Sequence, residues 1–159
     1  MKLFQNTANT AILMLALACS SSLPSIAAEV DKEIVDPKKQ SAQIVQEGLN
    51  FLILEQNKKA EELFMKAKSI DPYSEQAYNF LGLLYLQEGL NDKAEEMLKQ
   101  AISIEPMYPE ALRNLGKLCL KEDRFKEACT YLKKTLSIEE KQPYTWYLLG
   151  MAQYFSAQN

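Results

Sequence analysis

The sequence predicts an all-α fold, an α-solenoid of helix-turn-helix hairpins, and the spacing of its glycines is the first observation that predicts it. Four of the five glycines, Gly48, Gly82, Gly116 and Gly150, follow one another at intervals of 34 residues. Alanines repeat at the same interval downstream, and prolines close the first two copies at positions 72 and 106. A fixed period of this length is typical of solenoids, in which each repeat buries its apolar face by stacking on its neighbours.

Apolar residues around each glycine predict the first helix of each hairpin. One stands four positions before the glycine in every copy, and another stands three positions after it in the first three copies. Residues at this spacing lie on one face of a helix with 3.6 residues per turn, and an apolar face must be buried. They are Ile44, Tyr78, Leu112 and Trp146 before the glycines, and Phe51, Tyr85 and Cys119 after them.

Small residues predict where the two helices of each hairpin cross. Alanines at positions 60, 94 and 128 are each followed, four residues later, by a large apolar residue: Phe64, Leu98 or Leu132. Because the glycine and the alanines carry little side-chain bulk, two antiparallel helices can approach closely at these points. The large residue is expected to fill the space that remains.

This 34-residue pattern resembles the tetratricopeptide repeat family, and the resemblance implies about 3.5 repeats in a right-handed superhelix. The predicted repeat domain, residues 41–159, divides into repeats 41–74, 75–108 and 109–142 and a partial repeat 143–159. Pro109 and Pro143 stand first in their repeats, where a helix tolerates proline, and Ser74 is placed to cap the next helix. Glu47 and Glu140 depart from the family pattern without changing the predicted fold.

The N-terminal residues 1–28 have the layout of a secretory signal peptide. Lys2 precedes an apolar run at 11–19, which is shorter than the roughly 20 residues of a membrane span, and small residues follow. Cleavage near residues 27 and 28 would release the chain to the periplasm or the exterior. Alternatively, a loose lipoprotein box would make Cys19 the site of a lipid anchor. Residues 29–40 are polar and predict a linker, with a candidate helix start at Asp36 and Pro37.

Composition argues against an enzyme and against nucleic-acid binding. The chain contains no histidine, which removes the commonest general base and metal ligand and excludes Ser/His/Asp triads. Three scattered cysteines do not suit a zinc site, and a net charge of −3 offers no basic field for phosphates. Carboxylates such as Glu95 and Glu96 stand beside lysines on predicted solvated faces. We therefore predict no catalytic residue, no metal and no cofactor.

A second stripe on each first helix is the predicted partner-binding groove. In proteins similar to this family, that stripe lines a concave surface that holds an extended peptide or a partner helix. Its polar members, Asn79, Arg113 and Lys117, would fix a backbone amide and an acidic group, unless adjacent helices bury much of the stripe. The full stripe consists of Val45, Leu49, Leu52, Asn79, Leu83, Leu86, Arg113, Lys117, Leu120, Tyr147, Met151 and Tyr154.

The resemblance does not extend to the domains of this family that clamp the acidic C-termini of chaperones. Those domains carry lysine, asparagine and arginine at positions that here hold Val45, Leu49, Phe80, Glu110 and Asn114. In size and apolar groove the chain is closer to the repeat chaperones of type III secretion. Those chaperones work in the cytoplasm, and the predicted signal peptide contradicts that assignment.

The C-terminal repeats offer two further candidate features. Trp146 and Leu149 should pack on a helix that would follow the last one, so they form a candidate oligomer surface for a homodimer, unless residues 154–159 fold over them. Cys119 and Cys129 lie on the two helices of the third repeat, where they would either form a disulfide or serve as small hydrophobic residues.

Taken together, these observations predict an exported scaffold or adaptor that binds a protein or peptide, in envelope or secretion-system assembly. The alternatives are a chaperone similar to those of type III secretion and a homo-oligomeric structural scaffold built through the last helix.

Overall fold

Seven α-helices follow one another along residues 36–158, the part of the chain that the computed structural model describes. No strand occurs within this range, which confirms the all-α prediction of three hairpins and a lone seventh helix. The helices are α1 Pro37–Ile53, α2 Asn57–Ile70, α3 Glu75–Gln87, α4 Asn91–Ile104, α5 Pro109–Lys121, α6 Phe125–Ile138 and α7 Pro143–Ser156.

Helix starts follow the capping residues in the sequence. The Ser74 hydroxyl accepts a hydrogen bond from the Ala77 N–H at 3.3 Å, and prolines stand first in α1, α5 and α7. At the start of α1, the Asp36 carboxylate accepts from the Lys38 N–H at 3.0 Å, so the helix begins there. The helix thus starts at the predicted Asp36 and Pro37, and residues 37–40 of the predicted linker belong to α1.

The turn inside each hairpin contains a residue with a left-handed backbone. These residues are Glu55 (φ 57°), Gly89 (φ 75°) and Asp123 (φ 58°), and they recur at the same 34-residue interval. After each of them, the next N–H bonds back to the carbonyl five residues earlier, at 2.8 to 2.9 Å, which closes the first helix with a Schellman motif. Glycine adopts this conformation at the least cost, so the fifth glycine also belongs to the repeat.

Close packing at the predicted glycines joins the two helices of each hairpin. A Cβ placed on the glycine would lie 2.6 Å from Phe64 in the first hairpin, 2.6 Å from Leu98 in the second and 2.7 Å from Leu132 in the third. All three large side chains are fully buried. The predicted pairing of a glycine with a large residue is confirmed in every complete hairpin.

The hairpins stack through their first helices. α1 contacts α3, α3 contacts α5 and α5 contacts α7, whereas α2, α4 and α6 make no contact with one another. Each second helix instead contacts the first helix of the next hairpin. The first helices therefore lie on the inner side of the stack and the second helices on its outer side.

Three apolar clusters form a core that runs through the whole stack. One joins α1 to α4, a second joins α3 to α6 and a third joins α5 to α7. All of their members lie within residues 36–158, so this helical unit carries its own core and is one compact body by itself.

Polar side chains link neighbouring elements around this core. Arg124, at the start of α6, meets the Glu95 carboxylate of α4 at 3.0 Å, and Lys99 reaches the same oxygen at 2.8 Å. Hydrogen bonds from Lys99 and from Arg124 lower the pKa of Glu95. The Tyr85 hydroxyl donates to Glu61 at 2.8 Å, and burial together with this bond raises the pKa of Tyr85 to about 12.

The predicted signal segment, residues 1–28 with Cys19, lies outside the described residues. Within the described range, no helix combines the length and the hydropathy that crossing a bilayer requires.

Candidate partner-binding surface

The inner side of the stack carries the predicted groove stripe, because all of its members belong to α1, α3, α5 and α7. Six of its apolar members are half-buried, so each presents part of its side chain to solvent while packing on the core. They are Leu49, Leu52, Leu83, Leu86, Leu120 and Met151. Val45, by contrast, is buried, with 2% of its surface exposed.

Two clefts gather the stripe residues of neighbouring hairpins. Between α3 and α5, a cleft of about 310 Å³ is lined by Leu83, Leu86 and Lys117, among others. Farther along, a cleft of about 350 Å³ includes Leu120 and Met151 together with Asp123, Phe125 and Phe155. The structure thus brings five of the predicted groove residues together at two openings, each large enough for a side chain of a bound segment.

Asn79 differs from the expectation of an exposed groove residue. Only 2% of it is exposed, and its side-chain oxygen accepts a hydrogen bond from the Asn114 amide at 3.0 Å. Since Asn114 is also buried, the pair satisfies polar groups inside the contact between α3 and α5. The spacing of 35 residues between the two asparagines, one more than the repeat, is the only sequence signal of this pair.

The two predicted groove cations have different surroundings. Arg113 lies 3.7 Å from the Glu139 carboxylate at the end of α6, so its charge is partly compensated within the chain. Lys117, half-buried in the α3–α5 cleft, makes no ion pair with any described residue. The neighbouring Lys121 donates to Asn91 at 3.0 Å. Lys117 is therefore the cleft cation best placed to meet an acidic group of a ligand.

The last helix only partly matches the predicted oligomer surface. Trp146 is 52% exposed, and its indole N–H donates to the Glu140 carbonyl at 2.9 Å. Tyr147 and Tyr154, predicted as groove residues, are 62% and 61% exposed. Leu149 does not belong to this surface, because it is 4% exposed and packs in the core cluster of α5 to α7.

The same repeat position is buried at Leu149 in the last helix and exposed at Glu47 in the first. Leu149 occupies the same repeat position as Leu81 and Leu115, which are fully buried, and as Glu47, which is exposed. Those three leucines each have a preceding hairpin to pack against, whereas no described helix precedes α1. The departure of Glu47 from the family pattern follows from its place at the exposed end of the stack.

Both described cysteines are free thiols in the structure. Cys119 is buried, and this burial raises the pKa of its thiol to about 11. Cys129 is partly exposed. The structure thus shows the arrangement without a disulfide, with Cys119 serving as a small hydrophobic core residue.

Comparison with known proteins identifies the repeat. Residues 85–152 match the tetratricopeptide repeat family, whereas no curated protein matches the sequence. The first TPR of Spaghetti (RPAP3), bound to HSP90 peptide SRMEEVD, is 18% identical with a TM-score of 0.72, over 77% of this chain and 97% of that chain.

Two further solved structures share this fold. The Sgt2 TPR domain from Aspergillus fumigatus is 22% identical with a TM-score of 0.67, over 72% of this chain and 78% of that chain. MamA is 22% identical with a TM-score of 0.67, over 77% of this chain and 71% of that chain. The family match covers α4, α5, α6 and most of α7, and the helices before it keep the same 34-residue geometry. Residues 85–152 therefore match the tetratricopeptide repeat family, and the described helical unit as a whole has the tetratricopeptide repeat fold.

Proposed function

We propose that the protein is an interaction scaffold that holds an extended peptide or a partner helix on its inner side. The observation that carries this proposal is the cleft between α3 and α5, where Leu83 and Leu86 are half-exposed beside Lys117. Apolar side chains of a bound segment would fill this cleft and the one at Leu120 and Met151, and bury the partly exposed surfaces that line them.

The chemistry of the cleft specifies the ligand further. Lys117 adds a cation among apolar walls, so the bound segment should carry an acidic group flanked by apolar side chains. The similar domain of Spaghetti is bound to HSP90 peptide SRMEEVD, in which three of the last four residues are acidic. At the clamp positions of this chain, however, Val45 is buried, Asn114 is bonded to Asn79 and Glu110 is acidic. We therefore propose a ligand that is mainly apolar and carries one acidic group, not a C-terminal acidic tail.

A peptide library tests this ligand class directly. Random peptides displayed on phage are selected on the helical unit, residues 36–159, and the selected sequences are compared with those selected on a Lys117→Glu variant. The protein should select apolar residues together with Asp or Glu. The variant should lose the preference for Asp or Glu, because Lys117→Glu places an anion beside Lys121 and leaves the cleft without net charge.

Matched substitutions locate the binding surface. Leu83→Glu should weaken binding of a selected peptide at least about tenfold, since it places a charge inside the apolar cleft. Met65→Glu, the same kind of change at an exposed position on α2, should leave affinity within about twofold. Circular dichroism checks that both variants stay folded. Equal affinity of the two variants, or selection of peptides without apolar residues, would rule out the proposed surface.

Export is a further part of the proposal, and the layout of residues 1–28 supports it. On this proposal the scaffold works outside the cytoplasm, in envelope or secretion-system assembly. Mass spectrometry of the mature N-terminus decides between the two processing routes. A chain that begins at Ala28 or Glu29 indicates a soluble exported protein, whereas an acylated Cys19 indicates a lipid anchor. An unprocessed Met1 would contradict export.

A further inference from the structure

The exposed face of α7 has no charge. From Gln142 to the end of the printed sequence no residue is acidic or basic. Leu148, Leu149 and Ala152 bury one side of the helix against the core. At 100° per residue, the opposite side carries Pro143, Trp146, Tyr147, Gly150 and Tyr154. We call these five residues the α7 face.

Gly150 gives this face an open notch. In the three complete hairpins, the glycine at this repeat position is covered by a large side chain, and an added Cβ would lie within 2.7 Å of it. At Gly150, an added Cβ would meet no described atom within 4 Å. Trp146 lies one turn earlier and is half-exposed. The α7 face therefore holds both a large side chain and a notch of the kind that receives one.

We propose that the α7 face pairs with the α7 face of a second copy of the chain, in an antiparallel two-fold contact. Trp146 lies two residues before Leu148 along the helix, and Gly150 lies two residues after it. In an antiparallel pair of helices centred on Leu148, Trp146 of each copy thus lies opposite Gly150 of the other. Such a contact is self-complementary, as a two-fold interface must be, and glycine lets the two helix axes approach closely.

The exposed area agrees with a weak dimer. On the α7 face, Trp146, Tyr147 and Tyr154 are each between 52% and 62% exposed. At about 200 Å² for each aromatic side chain, they offer about 350 Å² per copy. A standard interface buries roughly 800 Å² per partner, so the helix backbone at Gly150 and the cleft wall at Lys133 and Leu136 must supply the remainder.

Polar groups of α7 do not oppose this pairing. Since α7 carries no charge, two copies bring no like charges together along the helix. The Trp146 N–H already donates to the Glu140 carbonyl of its own chain, so covering the ring leaves no buried donor without a partner. Aromatic rings are also the side chains enriched at the centres of protein interfaces. The contact is separate from the α3–α5 cleft and does not depend on the proposed peptide ligand.

Sedimentation velocity of the helical unit, from micromolar to several hundred micromolar, tests the proposal. The protein should convert from monomer to dimer across this range. Trp146 is the only tryptophan, so its emission should shift to shorter wavelength as the dimer forms and covers it. Gly150→Lys, which the monomer tolerates because the notch is open, should raise the dissociation constant at least about tenfold.

Tyr73→Lys is the matched control, because it replaces an exposed residue, 76% exposed, away from α7. It should leave the dissociation constant unchanged. A protein that stays monomeric with a constant emission maximum over the whole range would overturn the proposal. So would a dimer that Gly150→Lys leaves intact.

Discussion

Gly116 and Gly150 occupy the same position of successive repeats, but their surroundings differ. A Cβ on Gly116 would lie 2.7 Å from the buried Leu132 side chain, whereas a Cβ on Gly150 would meet nothing within 4 Å. Replacing glycine by alanine inside a helix stabilises it by about 1 kcal/mol. At Gly116 this gain is opposed by an overpacking cost of about 1–3 kcal/mol. We therefore expect Gly150→Ala to stabilise the unit by about 1 kcal/mol, and Gly116→Ala to destabilise it by up to about 2 kcal/mol.

The comparison is made on monomeric protein by urea unfolding, followed by circular dichroism at low concentration. The quantity of interest is the difference between the two free energies of unfolding, because the helix propensity of alanine contributes equally to both variants. In thermal unfolding, each kcal/mol corresponds to roughly 3–6 °C for a domain of this size. If Gly116→Ala proves as stabilising as Gly150→Ala, the close packing of glycine on Leu132 does not determine the repeat pattern.

A double-mutant cycle assigns the effect to the contact itself. Leu132→Ala alone leaves a cavity and should cost about 2–5 kcal/mol. In that background the Gly116→Ala change no longer meets a large side chain, so it should stabilise the unit by about 1 kcal/mol, as at Gly150. A Gly116→Ala penalty that persists without Leu132 would place the strain elsewhere in the hairpin.

Two further predictions concern the hairpin turns and the thiols. Gly89→Ala should destabilise the unit by about 1 kcal/mol, because the φ angle of Gly89 is 75° and the space around it is open. Glu55→Ala at the equivalent turn should change stability by less than about 0.5 kcal/mol. Equal losses of stability in urea unfolding would contradict a backbone origin of the effect. Iodoacetamide at pH 8 should modify Cys129 but not Cys119. The Cys119 thiol is buried and its pKa is raised to about 11, so only about one Cys119 thiol in a thousand is ionised at this pH. Peptide mapping that finds Cys119 alkylated, or both thiols in a disulfide, would refute this.

Much of the fold was predictable because the repeat imposes the same packing problem three times. The pairing of glycines with Phe64, Leu98 and Leu132 follows from their spacing, since helical geometry places these residues opposite each other. The helix starts were also predictable, because Ser74 and the prolines act locally. The glycine spacing gives no signal for Gly89, because the residues at the same position of the other two turns, Glu55 and Asp123, are not glycine.

The candidate surface was harder to predict, because helical register shows which residues share a face but not which neighbour covers that face. Val45 and Asn79 belong to the same stripe as Leu83, yet the adjacent first helices bury them. The sequence predicts that Leu149 packs on a helix after α7, whereas Leu149 packs on the preceding hairpin. These differences depend on contacts between repeats, and a single sequence gives no direct signal of them.

Site-specific photo-crosslinking tests the central claim, that partners bind on the inner side of the stack. A photoreactive phenylalanine analogue is introduced in place of Leu83, Leu120 or the exposed outer residue Met65, and crosslinks are formed in intact cells and mapped by mass spectrometry. We predict that the positions of Leu83 and Leu120 crosslink to one continuous segment of the same partner, and that the position of Met65 does not. Equal crosslinking at Met65, or none at the two inner positions, would contradict the proposed binding surface.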